Sequence, residues 1–455
     1  MICRILKTTE RAKAQSALCT VALILLPAIG FLQNASAIEF NLRQIADETQ
    51  VNREAIISET GVAAWTQYKT NDAASSITDI VLFRQNERLN LTEETASMFY
   101  GNVRAVLESN SLVWVANYRH FPTPHSWILR EVPQRDEGAS ELPALYQVRV
   151  SDSGEKFFFN VADTTGRVEV VTNEVGVVAT NFIPPVATED QLRRHPSGMS
   201  EINFWPGSGE VVRVSTDQRH DFAPSFSGRL IAWQKEKGFP FGWEIMVWDD
   251  GVTKQLTTNF YYDMAPKVHG RQVVWYGWDG YDFEIYLYNA DSDTTIQITS
   301  NRYDDVSPVI WDGQVAWEGY PAVESDVFLY RDGQTIKLSD NIEDDINPRI
   351  WNGQVVWQAF DGDDFEIYLY DGSKSIKVTA NTYDDTNPDI RDGLITWMGY
   401  EGNWDAEIFA WDGTGQPVQL TDNQEEDRDP RTAGRRIVWT VEREGRSQVW
   451  LAEPK

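Results

Sequence analysis

Asn381-Thr382-Tyr383-Asp384-Asp385-Thr386-Asn387-Pro388-Asp389-Ile390-Arg391-Asp392-Gly393-Leu394-Ile395-Thr396-Trp397 is one copy of a block that the second half of this chain repeats six times. Each copy sets a tryptophan nine residues after a proline: Pro224/Trp233, Pro266/Trp275, Pro308/Trp317, Pro348/Trp357, Pro388/Trp397 and Pro430/Trp439. Successive prolines are 42, 42, 40, 40 and 42 residues apart. An aspartate stands three residues before every proline (Asp221, Asp263, Asp305, Asp345, Asp385, Asp427) and an Asn or Asp seven before (Asp217, Asn259, Asn301, Asn341, Asn381, Asn423). A Ser or Thr stands nine before (Ser215, Thr257, Thr299, Ser339, Thr379, Thr421). A fixed period of this size denotes a stacked or circular repeat. A residue present in every copy marks a repeated structural need, since catalysis rarely calls for six copies of one group.

Between the anchors the apolar residues alternate with period two, as in Val315-Ala316-Trp317, Val327-Phe328-Leu329-Tyr330 and Ile336-Lys337-Leu338-Ser339, and no stretch keeps helical spacing. The breaks are Asp-Gly or Asn-Gly pairs (Asp312-Gly313, Asp332-Gly333, Asn352-Gly353, Asp371-Gly372, Asp392-Gly393, Asp412-Gly413), which supply the positive φ of tight hairpins. Four short antiparallel strands in about 40–45 residues is the unit of a propeller blade. The fold class is therefore all-β: one closed β-propeller of four-stranded blades over 38–455, with 215–455 regular and 38–214 degenerate. Trp65 and Trp114 are two earlier anchors, and 119 residues separate Trp114 from Trp233. That gives eight blades if 120–200 is an insertion. It gives nine if 140–216 forms its own blade, with Val177-Val178-Ala179 as second strand and Glu201–Phe204 and Val212–Ser215 as its outer pair. The last repeat lacks a fourth strand, and Glu39–Ala46 offers one. Their pairing would remove two open edges.

The repeat resembles that of TolB-type β-propellers, on Thr379, Asn381, Asp385, Pro388, Asp392-Gly393, Trp397 and Glu407-Ile408-Phe409. The Ser-Pro-Asp-Gly turn usual in that family is shortened here to forms such as Trp311-Asp312-Gly313. The α/β domain that precedes the TolB propeller has no legible counterpart, so its partners do not carry over. The resemblance implies the fold and not a function.

Residues 1–37 read as a cleavable signal peptide: Arg4, Lys7, Arg11 and Lys13, an apolar run from Ala17 to Leu32, then Ala35-Ser36-Ala37. A periplasmic or secreted, monomeric protein without stable membrane insertion is the expectation. Both cysteines, Cys3 and Cys19, fall in this segment, so the remainder has neither disulfides nor thiolate chemistry. The formal charge is −29, and the signal segment carries four positive groups and one negative, leaving −32 beyond it. Nucleic acid and anionic membranes are poor partners for such a field, whereas a basic partner suits it.

Blade topology puts two loop sets on one face. The loops between blades carry Asp304-Asp305, Asp344-Asp345, Asp384-Asp385 and Glu426-Asp427. The loops between second and third strands carry Asp279-Gly280-Tyr281-Asp282, Asp361-Gly362-Asp363-Asp364 and Glu401-Gly402-Asn403-Trp404-Asp405. Asp361, Asp363, Asp364, Asp304, Asp344 and Asp384 are the candidate ligands for calcium, which takes six to eight oxygens. The aspartate before each proline is explained by turn chemistry alone. Trp243, Trp278, Tyr281, Tyr320, Tyr400 and Trp404 are candidate contacts for a protein or glycan partner, or caps on the blade edges. No nucleophile elbow or His-Glu-x-x-His is present, and the five histidines are scattered. The reading is an exported, non-catalytic binding or scaffolding propeller. A glycan- or peptide-cleaving propeller enzyme using paired carboxylates is the alternative.

Overall fold

Each forty-residue block folds as the antiparallel sheet that its alternation predicts. Asp345–Trp351, Gln354–Phe360, Phe365–Tyr370 and Ser375–Lys377 are the four strands of one blade. Its first hairpin turns on Asn352 and Gly353, both left-handed at φ 47° and 80°, the two-residue turn that matches strand twist. The computed structural model describes residues 38–46, 51–68, 78–92, 99–118, 127–130, 146–150, 156–160, 169–173, 176–180, 200–217, 219–237, 242–339, 341–401 and 405–455. The expectations placed on residues 1–37 and on Trp404 lie outside them. Among the described residues there is no helix.

Eight four-stranded sheets stand in sequence as blades 1 to 8, so the chain is an eight-bladed β-propeller. Blade 1 spans Asn52–Ile57 to Glu87–Asn90, and blade 2 takes Phe99–Glu108, Ser111–Tyr118, Ser200–Trp205 and Val212–Arg213. The count of nine is corrected here: Ser200–Trp205 pairs directly with the Trp114 strand, Asn203 opposite Trp114, as its third strand. Gly176–Thr180 pairs instead with Glu169–Asn173 in a separate hairpin outside the blades. The 120–200 stretch is thus an insertion between two strands of blade 2. Blades 3 to 7 begin at Asp221, Asp263, Asp305, Asp345 and Asp385. Blade 8 joins Glu426–Ala433, Arg436–Arg443 and Arg446–Pro454 to the N-terminal strand Phe40–Ala46, Arg43 lying opposite Leu451. This closes the ring and covers the edge of Arg446–Pro454, with Phe40–Ala46 as the outer strand of blade 8. The seam continues into blade 1, where Asn52 N–H donates to Ser447 Oγ at 2.6 Å and Asn52 Nδ2 to Ser447 O at 2.8 Å.

A bulge recurs at one place in all eight blades. Register slips between the first and second strands at Glu54, Arg104, Ala223, Ala265, Ser307, Asn347, Asn387 and Asp429, and each has φ between 49° and 59°. In six blades the repeat proline follows, fixing its own φ near −65° and so holding the bend. Ala55 and Ala105 take that place in blades 1 and 2.

The core lies in the seams between blades. Ile390, Ile395, Trp397 and Phe409 of blade 7 pack on Val356, Ile367 and Leu369 of blade 6. The tryptophans of all six regular repeats are fully buried. Five stack on a third-strand aromatic of their own blade: Tyr286, Phe328, Tyr368, Phe409 or Trp450, with ring centres 5.7–6.3 Å apart. Each of the six donates its indole N–H to the aspartate before the proline, Trp233 to Asp221 (2.6 Å), Trp397 to Asp385 (2.8 Å) and Trp439 to Asp427 (2.6 Å) among them. The large ring therefore fills the seam while its polar edge is satisfied.

Candidate functional site

The two acidic loop sets do share a face, and backbone hydrogen bonds tie them together. Trp278 N donates to Tyr262 O (2.9 Å), Tyr320 N to Asp304 O (2.9 Å), Phe360 N to Asp344 O (2.8 Å) and Tyr400 N to Asp384 O (3.0 Å). Three of the candidate metal ligands are engaged in the same joint. Asp304 Oδ1 accepts Phe283 N–H at 3.0 Å and Asp384 Oδ1 accepts Phe365 N–H at 2.9 Å. Asp344 Oδ1 accepts Ser325 N–H at 3.0 Å and Ser325 Oγ–H at 3.2 Å. Asp361 and Asp364 come together, joined by Glu366, while the exposed Asp363 is not one of the triad. A second triad of the same spacing, Asp279, Asp282 and Glu284, forms in blade 4.

Glu284 and Glu366 belong to a set that the sequence reading passed over. The third strand of blades 1 to 7 has a buried acid at its start: Asp79, Glu201, Glu244, Glu284, Asp326, Glu366 and Glu407. The signal was present as a repeated acid-aliphatic pair, Glu244-Ile245, Glu284-Ile285, Asp326-Val327, Glu366-Ile367 and Glu407-Ile408. The repeat Ser or Thr serves this acid. Its oxygen accepts the following N–H, as from Ile245 to Thr257 (2.9 Å) and Ile367 to Thr379 (2.8 Å). In blade 2 the hydroxyl of Ser215 donates to Glu201 at 2.7 Å.

From blade 2 onward each such acid faces the aspartate of the next blade across the seam, making a belt of buried carboxylates beneath the loop face. Burial pushes Glu201, Asp221, Asp385 and Asp427 up to about 7, and Asp263, Asp305 and Asp345 to about 6. The neighbouring carboxylate adds to the burial effect, Asp221 on Glu201 and Glu407 on Asp427. A cation partly offsets the charge in three blades: Lys237 on Glu244 (3.1 Å), Lys337 on Asp326 (2.9 Å) and Lys377 on Glu366 (3.3 Å) and Asp361 (2.7 Å).

Of the candidate contact aromatics, Tyr281 stands free, 87% exposed. Trp243 and Trp278 are half-buried at strand ends, their rings edge-on to Phe222 (5.4 Å) and Phe283 (5.2 Å). Tyr320 and Tyr400 are half-buried, Tyr400 against the seam of blades 7 and 8. Phe260, Tyr261 and Tyr262 are exposed beside Tyr281, with Gly280 close under the Tyr261 hydroxyl. They were not singled out, although three consecutive aromatics replace the Tyr303-Asp304 type of loop found in other repeats. Val323 and Ile342 are also exposed on this face.

The central channel has a different character. Lys267, Val309, Arg349 and Asp389, each following a repeat proline, border a cavity of about 260 Å³. Burial and the charge of Arg349 push Lys267 down to about 8, and burial with Arg431 pushes Arg349 down to about 10.

Neither a protein-family model nor a curated protein matches the sequence. Solved propellers do resemble the structure. The β-propeller domain of the Trilobed protease from Pyrococcus furiosus, described as having an open velcro topology, aligns over 78% of this chain and 94% of its own at 10% identity and TM-score 0.45. A putative TolB from Agrobacterium tumefaciens aligns over 47% of this chain and 84% of its own, at 16% identity and TM-score 0.34. One of two prolyl endopeptidases aligns over 88% of this chain at 8% identity and TM-score 0.49, and this chain spans 55% of that longer protein. At these identities the likeness is one of fold. The chain is an eight-bladed propeller whose repeat resembles the TolB type in sequence.

Proposed function

We propose that this chain is an exported binding propeller whose acidic loop face docks a polypeptide partner bearing basic and apolar side chains. One observation carries the reading. Among the described residues, six of the eleven exposed large apolar ones, Phe260, Tyr261, Tyr262, Tyr281, Val323 and Ile342, lie on loops of the acidic face. Clustered aromatics within a charged rim have the make-up of an interface hot spot. The surrounding carboxylates would steer a basic partner and fix its orientation. The raised carboxylates weigh less towards hydrolysis, because they recur seam after seam and are buried under the loops. The signal-like segment 1–37 supports export.

The test is quantitative capture from an envelope or secreted fraction. Phe260→Ser with Tyr281→Ser should lose the partner. Val252→Ser with Ile296→Ser, on exposed outer strands, should keep it. Binding should weaken steeply with salt, since exposed charges beyond about 8 Å are screened at physiological ionic strength. Equal capture by both double variants would remove the proposal, and release by free sugar would redirect it to a glycan.

A further inference from the structure

The repeats of this chain act as controls for one another, and blade 4 departs at one seam from blades 3, 5 and 6, whose third-strand acid meets a lysine. In blades 5 and 6 a lysine on the fourth strand reaches the buried third-strand acid, Lys337 to Asp326 (2.9 Å) and Lys377 to Glu366 (3.3 Å). In blade 3 Lys237 reaches Glu244 (3.1 Å) from the end of the second strand. The position of Lys337 and Lys377 is set by register, opposite Phe328 and Tyr368. In blade 4 the residue opposite Tyr286 is Gln297, and no lysine or arginine among the described residues pairs with Glu284. Yet the carboxylates there are as numerous as in blade 6. Asp279 and Asp282 join Glu284, with one oxygen from each within 4.8 Å of the others.

Glu284 is fully buried; the Thr299 hydroxyl and the Asn301 backbone N–H lie near enough to favour its charged form, yet neither of its oxygens has a hydrogen bond of normal geometry, and the buried Asp282 Oδ1 has none at all. Blade 6 has the equivalent Asn381 N–H on Glu366 (2.9 Å) and adds what blade 4 lacks, the Lys377 ammonium that bridges Glu366 to Asp361. Two buried carboxylates beside an exposed third, without a cation, is an arrangement that folding disfavours unless something positive completes it. We propose that blade 4 binds a calcium ion through Asp279, Asp282 and Glu284, at the place filled in blade 6 by the Lys377 ammonium. The ligands are all oxygens, as a hard cation prefers. Two oxygens at 2.3–2.6 Å from one calcium ion lie up to about 5 Å apart, a limit this triad meets. The ion would fasten the turn that carries Tyr281. The site stands whether or not Tyr281 contacts a partner, and its test needs none.

Full-length mature protein is stripped with a chelator, dialysed, and titrated with calcium chloride by calorimetry and by melting. Binding of calcium and a rise in Tm with its concentration are expected. Glu284→Gln should weaken affinity by about ten-fold or more, on the scale seen when groups supporting a metal site are lost. Gln297→Lys supplies the blade 6 ammonium. It should raise the calcium-free Tm and abolish the calcium response, which distinguishes a filled site from a damaged one. If Glu284→Gln fails to fold, Gln297→Lys decides alone. Absence of a calcium response in the wild type, a response to magnesium only, or a response that survives Gln297→Lys would each overturn the proposal.

Discussion

The aspartate before each proline illustrates how a repeated polar residue serves packing. Asp385 accepts the indole N–H of Trp397 at 2.8 Å and the side-chain amide of Asn381 at 2.6 Å. Trp397→Ala should cost about 3–5 kcal/mol, from lost ring burial and the cavity left behind. Asp385→Ala should cost about 1–3 kcal/mol for each donor it orphans. Asp385→Asn should cost less, because it keeps an acceptor for the indole and removes a buried charge. Urea unfolding of the three variants checks the order, and a neutral Asp385→Ala would contradict it. That the six aspartates at one offset are structural was legible from the sequence, as was the help of the Asn four residues earlier, but turn chemistry assigns them backbone N–H donors where the structure gives them the indole. The buried acid that starts the third strand was less so. An acid at a strand boundary reads as the end of a loop, and only the recurrence of Glu-Ile marks it as internal. The contact aromatics were chosen one by one from the loops between second and third strands. Phe260-Tyr261-Tyr262 escaped because that loop lacks the Asp-Asp pair used to trace the face.

Strand identity followed from alternation and turn residues, and the blade count required more. Period alone cannot say which later segment completes a sheet begun at Trp114, because the pairing of Ser111–Tyr118 with Ser200–Trp205 spans the whole insertion. Nor does alternation reveal a bulge, which leaves the apolar pattern in place and changes one residue's φ. Closure was legible because it follows from counting: three strands at one end, one at the other. The element-level prediction concerns that strand. Phe40–Ala46 pairs along Val449–Pro454, and Ile45 and Ala46 join the core between blades 8 and 1. Removing 38–46 should expose the Arg446–Pro454 edge, lower the Tm and yield oligomers on size exclusion. A monomer with unchanged melting would mean the ring is held by its other seams alone. N-terminal sequencing of the exported protein belongs to the same question, and Ile38 is the expected first residue.

At the scale of the molecule, one architecture combines two different electrostatic environments: an acidic face underlain by paired carboxylates, and a channel of mixed charge bordered by Lys267, Arg349 and Arg391 with Glu59 and Asp389. The carboxylate belt has a pH consequence. Asp221, Asp385 and Asp427 titrate near 7 when folded, against an ordinary 3.8. Between about pH 4 and 7 the folded state therefore holds protons that the unfolded chain has released, so stability falls as pH rises through that window. The protein should melt higher at pH 5 than at pH 8, and Asp427→Asn should flatten the difference; a Tm that rises with pH across the window would contradict the belt. General self-repulsion at −32 acts in the same direction, which is why the single-site variant is the informative comparison. The central claim is that the acidic, aromatic loop face is where this propeller meets its partner. It is tested most directly by the dissociation constant of a captured partner for the wild type, for the Phe260→Ser/Tyr281→Ser variant and for the Val252→Ser/Ile296→Ser variant. The account predicts weakening of about ten-fold or more for the loop-face variant, as expected for hot-spot aromatics, with the outer-strand variant unchanged. Equal affinities across all three would contradict it.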